Sequence, residues 1–179
     1  MRIPTAWGRY EVGAYKAVFP KASDFKDVDG FSEEAASKVI ASYKNTVDGH
    51  ESDVISSAVE AVDASGKALG YIFNITTSKG YGGDIQLTVG IQSDGTVSGY
   101  SVLSISETAG LGMKAKEADF KDQFKDKNVE KFTYTKTGES GDDMIDAISG
   151  ATITTNAVTN AVDSALVYFQ NELGGGSNE

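Results

Sequence analysis

The sequence contains no cysteine. That absence removes thiol catalysis, disulfide frameworks, iron–sulfur ligation and cysteine-based zinc sites together. Histidine is nearly absent too: His50 stands alone between Gly49 and Glu51. A single imidazole builds neither a histidine-cluster metal site nor a relay with a second base, so no metal site is expected and His50 reads as a surface-loop residue. Thr, Ser and Gly interrupt every apolar stretch well short of the ~20 residues needed to cross a bilayer, and the chain as given reads as soluble. The first residues lack the basic and apolar regions of a secretory signal. Basic charge is scarce as well, with 16 Lys and Arg against 26 Asp and Glu for a net charge of −10. Nucleic acid and anionic membrane surfaces select the opposite sign, so no nucleic-acid partner is expected.

What is present is ordinary globular composition in 179 residues, enough for one domain with a real core. Ala14–Phe19 reads as one or two helical turns ending at Pro20. Ser32 followed by Glu33 and Glu34 predicts a helix start, because a serine cap and first-turn acids suit the unpaired N–H groups. Helix is expected over Ala35–Tyr43. The centre is β-rich. Val54–Val62 and Leu69–Thr76 flank a turn signal at Ala64–Lys67 and predict a hairpin. In Asp84–Gln92, Ile85, Leu87, Val89 and Ile91 alternate onto one face. Ser93-Asp94-Gly95-Thr96 then predicts a second tight turn, with Val97–Ser106 as the return strand.

Beyond the meander, Phe120 and Phe124 lie four apart and predict a short amphipathic helix over Ala118–Lys127. A further strand is expected at Lys131–Thr137 and a polar loop at Gly138–Asp143. The clearest helix is the last, where Ala157, Val158, Ala161, Val162, Ala165, Leu166, Phe169 and Leu173 form a broad apolar stripe. Asn156, Thr159, Asn160, Asp163 and Gln170 lie largely off that stripe, and Gly174 is a stop signal. The order of elements implies an α+β fold: an antiparallel β-meander packed with helices, with a long C-terminal helix last. The organisation expected is an N-terminal segment over 1–30, partly extraneous or following a removed membrane helix, a domain over 31–173 and a flexible tail over 174–179.

The segment before the last helix is Asp146-Ala147-Ile148-Ser149-Gly150-Ala151-Thr152-Ile153-Thr154-Thr155. Ser149, Thr152, Thr154 and Thr155 are all candidate caps, and Gly150 and Ala151 allow close backbone approach. A helix N-terminus favours phosphate. On these residues alone, an ordinary capping loop and a phosphate site remain equally open. Gly-Lys-Ser/Thr is missing, so this is not a nucleotide-hydrolysing P-loop.

Asp146 to Thr152 resembles the Asp-x-x-Ser/Thr-Gly-Ala-Thr flavinylation motif of FMN-binding domains. Those domains occur in the C-subunit of the sodium-pumping NADH:quinone oxidoreductase and in the G-subunit of the Rnf ferredoxin:NAD oxidoreductase. Two further stretches are similar to segments of that family: Ser106-Glu107-Thr108-Ala109-Gly110-Leu111-Gly112-Met113-Lys114, and Lys79-Gly80-Tyr81-Gly82-Gly83-Asp84-Ile85. Ala109 departs from the usual proline, which would pre-set the turn.

The resemblance implies covalent FMN on Thr152 through a phosphoester, added by a separate flavin transferase that uses FAD. It also implies that Asp146 and Ser149 are either read by that transferase or cap the helix. Thr154, Thr155, Glu107 and Tyr81 belong to the implied cofactor site. Gly82, Gly110 and Gly112 are expected to let backbone approach the ring, Thr108 to hydrogen-bond it, Leu111 to lie on its face and Lys114 to pair with the phosphate. The implied protein is an electron carrier rather than a stand-alone enzyme. It is expected at the extracytoplasmic face of the membrane, anchored by an N-terminal helix or a lipid, with other membrane subunits of a redox complex as partners. An FMN-domain surface lipoprotein, an extracellular reductase domain and a non-redox binding module are the alternatives.

Overall fold

A computed structural model describes residues 9–42 and 53–173. His50, Tyr43, the first residues and the tail from Gly174 lie outside the described residues.

The chain opens with α1 (Arg9–Val18) and β1 (Asp24–Asp27), then α2 (Glu33–Ser42). The Ser32 hydroxyl accepts the Ala35 N–H at 3.2 Å, so α2 starts at the expected cap. The hairpin strands are β2 (Val54–Val62) and β3 (Ala68–Thr77), followed by β4 (Ile85–Gln92) and β5 (Val97–Ser104). Together β1 to β5 form one antiparallel sheet whose spatial order follows the chain order. The α+β architecture is therefore the one expected, with one more strand at the edge. Four-residue β1 carries no alternation of its own and is held by pairing Phe25 with Ala61.

The alternation of β4 divides the two faces. Ile85, Leu87, Val89 and Ile91 point into the main core, where they meet Phe73, Ile75 and the apolar side of the last helix. The other face receives α1. Here Gly90 and Gly70 lie under the end of α1: a Cβ on Gly90 would come within 3.0 Å of Val18, and one on Gly70 within 2.7 Å of Phe19. Missing side chains thus let α1 lie close to the strands. Tyr15, Val18, Phe25, Val59 and Ile72 form a second core on that side.

After the sheet come a 3₁₀ turn at Gly112–Lys116, the short helix α3 (Ala118–Lys121) and a second 3₁₀ turn at Asp122–Phe124. The expected single helix over Ala118–Lys127 is thus broken. Its Phe120–Phe124 pair still forms, with ring centroids 5.6 Å apart, and Phe124 also meets Phe132 at 5.0 Å. The chain leaves helical geometry there: Lys125 is extended and Asp126 has φ 59°. The expected strand at Lys131–Thr137 shrinks to β6 (Thr133–Thr135), which pairs in parallel with an unforeseen β7 (Met144–Asp146).

The last helix, α4, runs from Thr152 to Tyr168 and continues as a wider π-turn at Phe169–Leu173. From Ala157 onward it is buried all round rather than along one stripe, and Thr159, Asn160 and Asp163 are buried with the apolar residues. The sheet and α2 cover one side, while β6 and the Gly112–Lys116 turn cover others. Among the described residues no helix is long and apolar enough to cross a membrane.

Burial holds the Asp163 carboxyl well above the usual carboxylate range. The Phe132 N–H, which donates to Oδ1 at 2.7 Å, and nearby Lys131 oppose that shift without cancelling it. The folded chain therefore keeps a proton that the unfolded chain releases near its ordinary value of 3.8, and Asp163's contribution to stability falls as pH rises above that value. Asp163→Asn keeps the Oδ1 acceptor and removes the titration. Thermal unfolding from pH 4.5 to 8 should show a flatter pH dependence for the variant, with the gain in Tm largest at the alkaline end.

Candidate functional site

The site is assembled where three loops meet the N-terminus of α4. In the first loop, Ala151 N–H donates to Ile148 O at 2.9 Å and closes a turn with Gly150 third, at φ 77°. That is the type II pattern, which requires positive φ at its third residue. Thr155 fastens this loop to the helix: its hydroxyl accepts Ile148 N–H at 3.0 Å and donates to Ala151 O at 2.9 Å. In the second loop, Leu111 N–H donates to Thr108 O at 3.1 Å, with Gly110 third and again at φ 77°. The two turns face each other closely enough that a Cβ on Gly150 would come within 3.1 Å of Leu111 Cδ2.

The third loop carries Tyr81 and Gly82. Tyr81 N–H donates to Glu107 Oε1 at 2.9 Å, and Gly82 N–H donates to Oε2 at 2.6 Å. The Thr154 hydroxyl donates to the same Oε1. Glu107 is only 7% exposed. Three donors converging on one carboxyl suit an ionised acceptor.

Between these loops lies a cavity of about 580 Å³, lined by Tyr81, Thr108, Leu111, Gly112 and the run Gly150–Thr154. Small-molecule sites commonly occupy roughly 300–1,000 Å³. The large hydrophobic residues left exposed among the described residues are Tyr81 at 70%, Ile153 at 53% and Leu111 at 40%, and all three line this cavity. At its edge α4 begins without a side-chain cap, since its N-cap position is Ala151. Uncapped N–H groups and the positive end of a long helix favour an anion. Thr152 is the first residue of that helix and is half-buried at the cavity. An apolar platform beside an anion-binding helix end and a hydroxyl fits a planar, phosphate-bearing cofactor.

The expected site residues divide into several sets. Tyr81, Thr108, Leu111, Gly112, Gly150, Ala151, Thr152 and Thr154 line the cavity, and Gly110 shapes its second turn. Gly112 and Gly82 use their missing side chains inside the protein. A Cβ on Gly112 would stand 2.5 Å from Thr154 Oγ1 and 2.6 Å from Glu107 Cβ, and one on Gly82 would meet Ser106 O and stand 3.1 Å from Glu107 Oε2. Asp146, Ser149 and Lys114 instead line an adjoining cavity of about 350 Å³ with Glu117 and Gln123. Gln123 holds the Asp146 backbone at both N–H and C=O, and neither Asp146 nor Ser149 caps α4. Ile153 is the lining residue that sequence reasoning missed. It stands four residues before Ala157, so helical spacing assigns it to the core stripe, but its side chain is 53% exposed at the cavity.

The profile of the FMN-binding domain matches residues 80–167, which contain all three loops. The chain is 36% identical over 163 residues to the G-subunit of the ion-translocating oxidoreductase complex of Methanosarcina acetivorans, covering 90% of this chain and 76% of that protein. The chain belongs to the G-subunit family of FMN-binding domains. Another relative is the G-subunit of the Na(+)-translocating ferredoxin:NAD(+) oxidoreductase complex of Acetobacterium woodii, 33% identical over 160 residues and covering 88% of this chain and 73% of that one. The G-subunit fold is shared with the crystal structure of NqrC from Shewanella oneidensis. That pair has a TM-score of 0.56 at 21% identity, over 87% of this chain and 84% of that one.

Ala109 is the second residue of the Thr108–Leu111 turn, where type II geometry favours proline. No backbone hydrogen bond from Ala109 N–H is needed to close that turn. Ala109→Pro should therefore stabilise the domain by about 0.4–1 kcal/mol through the unfolded chain. Urea denaturation of the two proteins, with an unchanged m-value, checks this.

Proposed function

We propose that this chain carries FMN covalently, esterified through its phosphate to Thr152 Oγ1. In this reading it serves as the G-subunit of an Rnf-type ion-translocating ferredoxin:NAD oxidoreductase complex, exchanging electrons with other membrane subunits at the extracytoplasmic face. An N-terminal helix or a lipid would hold it there. The observation that carries the reading is the position of Thr152: a half-buried hydroxyl in the uncapped first turn of a long helix, beside a cavity that gathers the exposed large hydrophobics. The G-subunit relatives supply the complex and the redox context.

The neighbouring hydroxyls support the choice of acceptor. Thr154 is engaged with Glu107, and Thr155 with Ile148 and Ala151. Both are buried. Thr152 therefore offers its oxygen without dismantling the loops. The cavity lining holds no Asp, Glu, Lys or His that would act as a base, which suits an acceptor loaded by a separate flavin transferase. In that step the Thr152 Oγ1–phosphorus bond forms and the phosphorus–oxygen–phosphorus link of FAD breaks. AMP leaves, and the hydroxyl proton passes to the transferase.

FMN supplies the one- and two-electron chemistry that side chains lack. The chain's own contribution is retention and orientation. The ester makes retention independent of affinity, so the cavity can stay open at its mouth. Leu111, Ile153 and Tyr81 provide apolar faces for the ring, and the first-turn N–H groups of α4 face the remaining phosphate charge. Asp146 and Ser149, free of capping duty, remain available for recognition by the transferase.

Co-expression of the full chain with a flavin transferase should add the mass of FMN less water. The yellow colour should survive denaturation, and Thr152→Ala should leave the mass unmodified. An unmodified wild-type chain beside a transferase that loads a control acceptor would defeat the proposal, as would a modification that survives Thr152→Ala.

A further inference from the structure

The Glu107 carboxylate is buried among the described residues with no cation hydrogen-bonded to it. Burying a charge in this way is costly unless hydrogen bonds replace its water. Here the replacements come from two places far apart in the chain. Tyr81 and Gly82 donate their backbone N–H groups from one wall of the cavity, and Thr154 donates its hydroxyl from the first turn of α4 in the other. Glycines make the room. A Cβ on Gly80 or Gly82 would stand 3.1 Å from Glu107 Oε2, and one on Gly112 would press on both Glu107 Cβ and Thr154 Oγ1. Glu107 does not line the cavity itself. It sits behind the lining and touches both sides of it.

We infer that Glu107 is a positioning residue: its carboxylate latches the Tyr81–Gly82 loop to the start of α4 and so sets the width of the flavin cavity before any flavin arrives. This rests on the flavin reading of the cavity, but the latch itself is a property of the chain. Its chemistry makes a graded expectation. Glu107→Gln keeps one acceptor oxygen, which Tyr81 N–H and the Thr154 hydroxyl share, but turns an N–H toward the Gly82 N–H. Glu107→Ala removes all three bonds. Thr154→Ser keeps the hydroxyl, and Thr154→Val removes it at nearly constant volume.

The test uses the full chain made without a transferase, with two readouts. The first is amide hydrogen exchange. Tyr81, Gly82 and Thr155, whose N–H is held by Ala151 O, should exchange faster together in Glu107→Ala and Thr154→Val, less so in Glu107→Gln, and like wild type in Thr154→Ser. Amides of central β3 should stay unchanged. The second is titration with riboflavin, which lacks the phosphate, followed by flavin fluorescence and the visible spectrum. Affinity should fall about tenfold or more in Glu107→Ala, as expected for losing hydrogen bonds to a charged group. It should fall less in Glu107→Gln and be retained in Thr154→Ser. Unchanged exchange at Tyr81 and Gly82 in Glu107→Ala, or, where the wild type binds riboflavin, equal affinity and spectra in that variant, would overturn the latch. If Glu107→Ala does not fold, the Thr154→Val and Thr154→Ser pair decides the same question. Coupled exchange without riboflavin uptake by the wild type would uphold the latch and count against the flavin reading.

Discussion

One buried carboxylate ties this structure's site together. Glu107 gathers donors from the loop before β4 and from the start of α4, and its own segment leads into the Gly110–Gly112 turn. Three stretches separated by up to about seventy residues thereby meet around one group. Side chains larger than hydrogen at positions 80, 82 and 112 would collide with this arrangement. The glycine-rich look of these loops is then a packing requirement of the carboxylate as much as of any ligand, and positive φ is the separate requirement at Gly110 and Gly150.

The rest of the fold serves to hold the start of α4 still. That helix is buried on every side, so its axis is fixed by the sheet, α2 and the β6 region together. Its N-terminus is the exception, left without a side-chain cap and open to the cavity. A helix end fixed by burial but uncapped is a stable place to present a hydroxyl and a set of N–H groups. Thr154 and Thr155 stabilise the adjoining loops with their hydroxyls, which leaves Thr152 as the threonine of the three whose oxygen is not spent inside the protein. The apolar residues that remain exposed gather around this same point. In the proposed carrier they would support the ring of a tethered flavin while leaving the cavity mouth open for electron exchange.

Much of this was legible in the sequence where a single local rule decided the outcome. Alternation placed Ile85, Leu87, Val89 and Ile91 in the core, Asp94-Gly95 marked the hairpin, and Ser32 marked the start of α2. The motif around Thr152 pointed to the helix start that the cavity adjoins. What escaped required partners distant in the chain. β7 is three residues long and exists because β6 lies beside it. The helix at Phe120 breaks because its aromatic pair is satisfied by a turn that then bends toward Phe132. Asp163 and Thr159 look like surface positions on a helical wheel, and only the covering layer buries them. Ile153 fits the core spacing yet faces the cavity. The role of Gly112 was visible only once Thr154 and Glu107 were seen on either side of it.

The central claim is that Thr152, and not its neighbours, carries the flavin. It is tested most directly by locating the modification in loaded protein. No Lys or Arg follows Lys136, so trypsin releases the segment from Thr137 to the C-terminus as one peptide. Fragment-ion sequencing of that peptide should place the mass of FMN less water between Ala151 and Ile153. Placement on Thr154 or Thr155, or outside this peptide, would contradict the account.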